Sequence, residues 1–308
     1  MPPSDPVRAR PMRTLLAWLL LSLAVPVSAQ RITMEDANGQ RLALSAPARR
    51  IVSLAPHITE LVYAAGAGGK LVGAVNFSDF PPQAEALPRI GSYNALDLEA
   101  VAALHPDLAL AWRSGNREAH LERLRALGVP VFVSEAGSLA EVAVSIEQIG
   151  TLAGTDEAAT EAAESFRSRH AALRTRYRDK APVRMFYQVW NDPLMTINGD
   201  HLISAVIRLC GGTNVFAGLD QLAPKINAEA VLAADPEAIV ASGMDQARPE
   251  WLDDWRRWRG LTAVARDNLF FIPPDLLQRH SPRVLDGAER LCHQLDIARG
   301  HRPHVIAD

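Results

Sequence analysis

Residues 155–180, TDEAATEAAESFRSRHAALRTRYRDK, decide how the rest of the chain is read. They read as one long, mostly polar helix near the midpoint of the chain. Thr155 stands where a cap is expected, and Asp156 and Glu157 place negative charge in the first turn, where the helix dipole favours it. Arg174, Arg176, Arg178 and Lys180 crowd the last turns, and Pro182 stops the helix. At about 1.5 Å per residue such a helix is as long as a small domain is wide. Ala162, Phe166, Leu173 and Tyr177 form a single narrow apolar stripe. A helix this polar lies along a surface, either as an ordinary surface element or as a rigid strut between two lobes.

The flanks favour the strut. Upstream, strands are expected at 50–54, 71–75, 107–112 and 129–133, with helices at 56–65, 96–104, 117–127 and 138–152. A hairpin, 31–35 and 41–44 around Asn38-Gly39, precedes them. Downstream, strands at 183–189, 238–241 and 269–272 alternate with helices at 201–209, 228–233, 249–258 and 285–298. Such alternation implies parallel sheets covered on both faces. LEAVAALHPDLALA (98–111) also matches AEAVLAADPEAIVA (228–241) at a constant offset of 130 residues, and the Gly68-Gly69 and Gly211-Gly212 units are a looser second match. The expected fold is α/β: two Rossmann-like lobes, 30–154 and 181–308, joined by one long rigid α-helix, 155–180. Two similar lobes leave a cleft between them, and ligand sites favour such interfaces.

Residues 1–29 read as a secretory signal peptide. Arg8, Arg10 and Arg13 give a positive start, 15–25 is an apolar run too short to span a bilayer, and Val27-Ser28-Ala29 is a small-residue cleavage site. Met12 is a second candidate start. Loss of the peptide changes the formal charge from −3 to about −5, and a mildly acidic chain without a basic run argues against a nucleic-acid partner. The exported chain keeps two cysteines, Cys210 and Cys292. In an oxidising compartment they are expected to pair, closing a loop of about 80 residues worth about 4 kcal/mol. The alternative is two buried thiols. Two cysteines alone argue against a zinc site.

Catalytic chemistry is not legible. The chain lacks G-x-S-x-G, a P-loop, G-x-G-x-x-G and H-E-x-x-H. Its nine histidines are scattered, and His301 and His304 lie near the terminus, where a solvated pair is the simpler reading than a metal site. The expectation is a binding protein, not an enzyme, with no catalytic residue, metal or cofactor. Ligands meet α/β lobes at loops after the strands. Aromatics occupy such loops at Phe77, Phe80, Tyr93, Trp112 and Trp190, and Asp275 with Arg279 follow the last strand. The bland alternatives are packing for each aromatic and a surface ion pair for Asp275 and Arg279. Trp251, Trp255 and Trp258, spaced i, i+4, i+7, read as a packing stripe. Glu99 and Glu229 begin equivalent helices, one per lobe, and would suit docking onto a twofold-symmetric partner.

RIVSLAPHITELVYAAG (50–66), SDFPP (78–82), DLEAVAALHPDLALAWRSGN (97–116) and SPRV (281–284) resemble the periplasmic cobalamin-binding proteins of bacterial ABC importers. The resemblance covers nearly all of the exported chain. It implies a monomer that captures cobalamin or another corrinoid between its lobes and delivers it to an inner-membrane permease dimer. Phe80, Tyr93 and Trp112 fall where the family packs aromatics on the corrinoid, and Asp275 and Arg279 fall in its C-terminal ligand loop. Cys210 and Cys292 match its disulfide, and Glu99 and Glu229 match its permease-docking carboxylates. Two further aromatic positions of the family align with Val189 and Ala223, with Trp190 adjacent to the first, so the C-terminal half of the pocket is expected to be less aromatic. A wider group with the same pattern carries haem or ferric siderophores, which is the alternative ligand class. For haem, Tyr93 and His280 are the nearest candidate axial ligands.

Overall fold

The computed structural model describes residues 31–243 and 246–303. The proposed signal peptide and His304 lie outside the described residues. The chain opens with a hairpin, β1 (Ile32–Glu35) and β2 (Arg41–Leu44), turned at Gly39 with φ +74°. The first lobe then runs β3 (Ile51–Ser53), α1 (Pro56–Ala64), β4 (Leu71–Ala74), a small hairpin β5 (Gly91–Ser92) and β6 (Ala95–Leu96), α2 (Leu98–Ala103), β7 (Leu108–Trp112), α3 (Glu118–Ala126), β8 (Val131–Ser134) and α4 (Leu139–Ala153). After α5 (Asp156–Tyr177) come β9 (Val183–Gln188), α6 (Leu202–Leu209), β10 (Gly212–Asn214), α7 (Ala228–Ala234), β11 (Ala238–Ala241), a 3-10 helix at Glu250–Arg257, α8 (Thr262–Ala265), β12 (Leu269–Phe271), α9 (Pro274–Leu277) and α10 (Val284–Gly300).

Each lobe holds a four-stranded parallel sheet, in the orders β4-β3-β7-β8 and β10-β9-β11-β12. In both, the first strand of the lobe pairs with the second and third, and the fourth lies at an edge. The 130-residue offset survives as three-dimensional detail. Asp97 and Asn227 each cap their helix, accepting from Ala100 N and Ala230 N, both at 2.9 Å. His105 and Asp235 both adopt a left-handed backbone just beyond the helix end, with φ +45° and +39°. Arg50 and Arg184 each donate to a carbonyl at the C-terminal end of that helix, Leu104 O and Ala234 O. Asp97 also shows why α2 starts later than its sequence suggests. Its side chain holds the first turn, so Ala95 and Leu96 are left to the β5–β6 hairpin.

α5 joins the lobes. It packs against α1 and α4 on one side of the molecule and α6 and α10 on the other. Ala159, Ala163, Phe166, Leu173 and Tyr177 form its buried stripe, while Ala162 is half-buried. The Gly150–Ala159 approach sets the α4–α5 spacing: a Cβ at Gly150 would lie 2.2 Å from that of Ala159. Gly154, left-handed at φ +66°, closes α4 and lets the chain reverse. Thr155 does not cap α5, because its hydroxyl donates to Ala65 O at 2.6 Å and so fastens the helix start to α1. Arg167 pairs with Glu147 of α4, and Arg169 with Asp286 and Glu289 of α10. One continuous apolar core, including Ile58, Ile146, Phe166, Tyr177, Val206 and Leu291, passes from lobe to lobe beneath α5. The far face of each sheet has its own separate cluster.

Cys210, at the end of α6, and Cys292, in α10, form a disulfide across 82 residues. Both are buried, so the bond ties two helices of the second lobe. The stretch expected as an α-helix at 249–258 is a 3-10 helix. Its tryptophans nevertheless pack as a group. Trp255 is buried and donates to Gln188 Oε1, and Trp251 and Trp258 rest half-buried on the same core cluster.

Candidate functional site

In a strand–helix–strand unit the helix runs back against the strands, so strand ends and helix starts share one face. The residues gathered on that face come from loops far apart in sequence. On the first lobe, Asn116 ties three of these loops together. Its side chain accepts from Trp112 N at 2.7 Å and donates to Leu54 O and Tyr93 O at 2.9 and 2.6 Å. The Trp112 indole N–H reaches Glu135 Oε1 at 3.3 Å, and its ring lies 5.7 Å from that of Tyr93. The loop after β4 is pinned by buried Ser78, which Thr59 links to Ser53 through hydroxyl hydrogen bonds of 3.0 and 2.9 Å. With Ser78 held inward, its neighbours are presented outward. Phe77 is 76% exposed and Phe80 40%, and Tyr93 is 41% exposed on the adjoining hairpin.

Phe77 was read from sequence only as one of several loop aromatics, yet it is the most exposed large apolar residue described. It also has a left-handed backbone, φ +64°, which costs a non-glycine residue free energy. Phe80 is partly occupied, with the Arg283 guanidinium 4.0 Å above its ring.

The second lobe contributes charge. Arg279 pairs with Asp275 at 2.8 Å, so the two residues singled out together do meet. They are not a simple surface pair. Arg279 also reaches across the cleft to Asp79 at 2.6 Å and Glu60 at 3.0 Å. Glu60 is buried, and besides Arg279 it accepts from Ser281 Oγ at 2.6 Å and from Arg283 Nη2 and Nε at 2.6 and 2.9 Å. Burial opposes the charge on Arg279, but the hydrogen bond it donates to Asp79 and the charges of Asp275 and Glu60 outweigh it and raise its pKa. Asp275 is raised, because burial outweighs the attraction of Arg279. Asp79 is lowered, its partial burial being overcome by Arg279.

Glu60, Ser281 and Arg283 were missed as site residues. The signal was present: a carboxylate within the apolar run of α1 requires a buried partner. His57, also on α1, meets Trp112 edge-on at 5.0 Å and His280 at 6.3 Å. His280 Nδ1 lies 2.9 Å from Ala136 O, a second contact between the lobes. Trp190 stands two residues beyond β9, half-buried, with its indole donating to Asp192 O in its own loop. Glu99 and Glu229 are exposed in the first turns of α2 and α7, on the face of each lobe that carries the loops.

The model of the periplasmic binding protein family matches residues 51–276, most of the chain and both sheets. The chain belongs to the periplasmic binding protein family. This binding protein is 40% identical over 259 residues to a vitamin B12-binding protein of Vibrio cholerae serotype O1, covering 84% of this chain and 93% of that one. It is 35% identical over 259 residues to a vitamin B12-binding protein of Vibrio parahaemolyticus, covering 83% and 92%. A crystal structure of the periplasmic vitamin B12-binding protein of Vibrio cholerae matches it with a TM-score of 0.76 at 39% identity, over 82% of this chain and 98% of that one. A periplasmic haem-binding protein from Roseiflexus matches with a TM-score of 0.72 at 23% identity, over 81% and 99%, a likeness of fold alone.

Proposed function

We propose that this binding protein captures cobalamin or a related corrinoid in the cleft between its lobes and delivers it to an ABC permease in the inner membrane. The supporting observation is the lip of aromatics on the first lobe. Phe77, Phe80, Tyr93 and Trp112 converge there, three of them well exposed, in a chain 40% identical to a vitamin B12-binding protein. Exposed apolar surface of this kind marks a binding face. A corrinoid would bury these rings and rest its polar rim against the Asp275, Arg279 and Arg283 cluster. Trp190 would contribute from the second lobe. The protein binds without turning its ligand over, and acts as a monomer exported by cleavage after Ala29.

Glu99 and Glu229, one per lobe and both exposed, would engage the two halves of the permease. The shared core beneath α5 supports limited closure, since bending α5 would break backbone hydrogen bonds. Isothermal titration of residues 30–308 with cyanocobalamin, dicyanocobinamide and haemin tests the ligand. One-to-one binding of a corrinoid and not of haemin is expected. Binding of haemin alone would transfer the protein to haem import, and binding of none would remove the ligand assignment.

A further inference from the structure

Five rings run in succession across the floor of the cleft. Tyr93, Trp112, His57, His280 and His201 lie at centroid spacings of 5.7, 5.0, 6.3 and 5.7 Å, from the rim of the first lobe into the second. Three consecutive histidines in such a line invite a test of what each ring nitrogen can do. His201 Nδ1 accepts the backbone N–H of Ile203 at 3.1 Å, capping α6. Its proton is therefore on Nε2, which leaves that nitrogen a donor without a lone pair to offer. His57 is buried, wedged between Trp112 and His280.

His280 differs. A backbone carbonyl only accepts, so its 2.9 Å contact with Ala136 O places the proton on Nδ1 and leaves the lone pair on Nε2. A carbonyl-anchored Nδ1–H of this kind fixes the tautomer and raises the basicity of the other nitrogen, as it does in metal-ligating histidines. The ring remains half-buried, not sealed. Among the described residues no three ligands converge to hold a free metal ion. A metal that arrives already bound by four ring nitrogens needs only one.

We propose that His280 Nε2 is an axial ligand to the metal of the bound tetrapyrrole, so that the site favours corrinoids with an open axial position. This rests on the corrinoid reading and sharpens it, from cobalamin in general to cobinamide-like or base-displaced forms. The step is a ligand exchange without electron transfer. The Nε2 lone pair forms a cobalt–nitrogen bond as a cobalt-bound water leaves.

The test uses the full exported chain with aquacyanocobinamide, whose water is exchangeable, and with cyanocobalamin, whose axial positions are both filled. Binding of the cobinamide is expected to shift its visible bands, and the Co(II) form is expected to show the three-line nitrogen splitting of one imidazole by electron paramagnetic resonance. His280→Gln keeps an amide donor for Ala136 O. It is expected to lose both signatures, to weaken cobinamide binding at least tenfold and by more than it weakens cyanocobalamin binding, and to recover the splitting with added imidazole. Tight cobinamide binding with unmoved bands, or splitting that persists in His280→Gln, overturns the assignment and leaves the corrinoid reading standing. Titrations in which neither corrinoid binds overturn both.

Discussion

The two lobes are alike where they are built and unlike where they face the cleft. Their sheets share a strand order, their equivalent helices share a cap, a left-handed exit and an arginine clasp, all close to one 130-residue offset. At the strand ends the likeness stops. The first lobe supplies exposed aromatics, and the second supplies Asp275, Arg279, Arg283 and two histidines. Buried parts of a repeated unit must keep fitting the same neighbours, whereas loops at strand ends answer only to solvent and ligand. The difference separates residues that hold the fold from residues that serve the cleft, and mutations can test that division.

The largest effect is expected at Glu60, which belongs to both groups. Glu60→Ala leaves Arg279 and Arg283 without their buried partner and should lower stability by about 3–5 kcal/mol. Asp286→Ala, which cuts an exposed pair of Arg169, should cost less than about 1 kcal/mol in the same urea titrations. Equal losses would erase the distinction between the cleft latch and the outer surface.

The histidines should make the cleft acid-sensitive. Burial, then the nearby His280 and Arg279, lowers the pKa of His57 from 6.5 to about 3, and burial with His280 lowers that of His201 to about 4. Between those values and 6.5 the unfolded chain binds protons that the folded chain refuses. Their stabilising contribution is thus complete above pH 6.5 and lost as pH falls. His57→Gln should flatten the slope of unfolding free energy by about 1.4 kcal/mol per pH unit within that window. An unchanged slope would show that His57 is protonated in the folded protein.

Phe77 offers the sharpest division between fold and function. Phe77→Gly relieves the left-handed strain and removes little buried surface, so stability should hold or rise by a few tenths of a kcal/mol. Corrinoid affinity should fall about tenfold, or about 1.4 kcal/mol. A stable variant with undiminished affinity would remove Phe77 from the ligand face. The smallest effects belong to the scaffold: Asp97→Ala and Asn227→Ala should each cost about 1 kcal/mol and leave ligand affinity unchanged.

Much of the architecture was legible in the sequence. The α/β alternation, the repeat and the central helix all follow from local periodicity, turn residues and caps, which act over a few residues. The disulfide was legible for a different reason, since two cysteines allow one pairing. The helix at 250–257 is 3-10, with about 3.0 residues per turn, a local tightening that the i, i+4, i+7 spacing of its tryptophans does not signal. Thr155 was misread because a threonine at a helix start is also a donor, and Ala65 O, 90 residues away, claimed it. The cleft itself was decided by the tertiary structure. Glu60 meets Arg283 across 223 residues and His280 meets Ala136 across 144, contacts that no local pattern specifies. The sequence determined which elements form because their physics is short-range. Only packing decided which strand ends face one another, and so which charges and rings share the cleft.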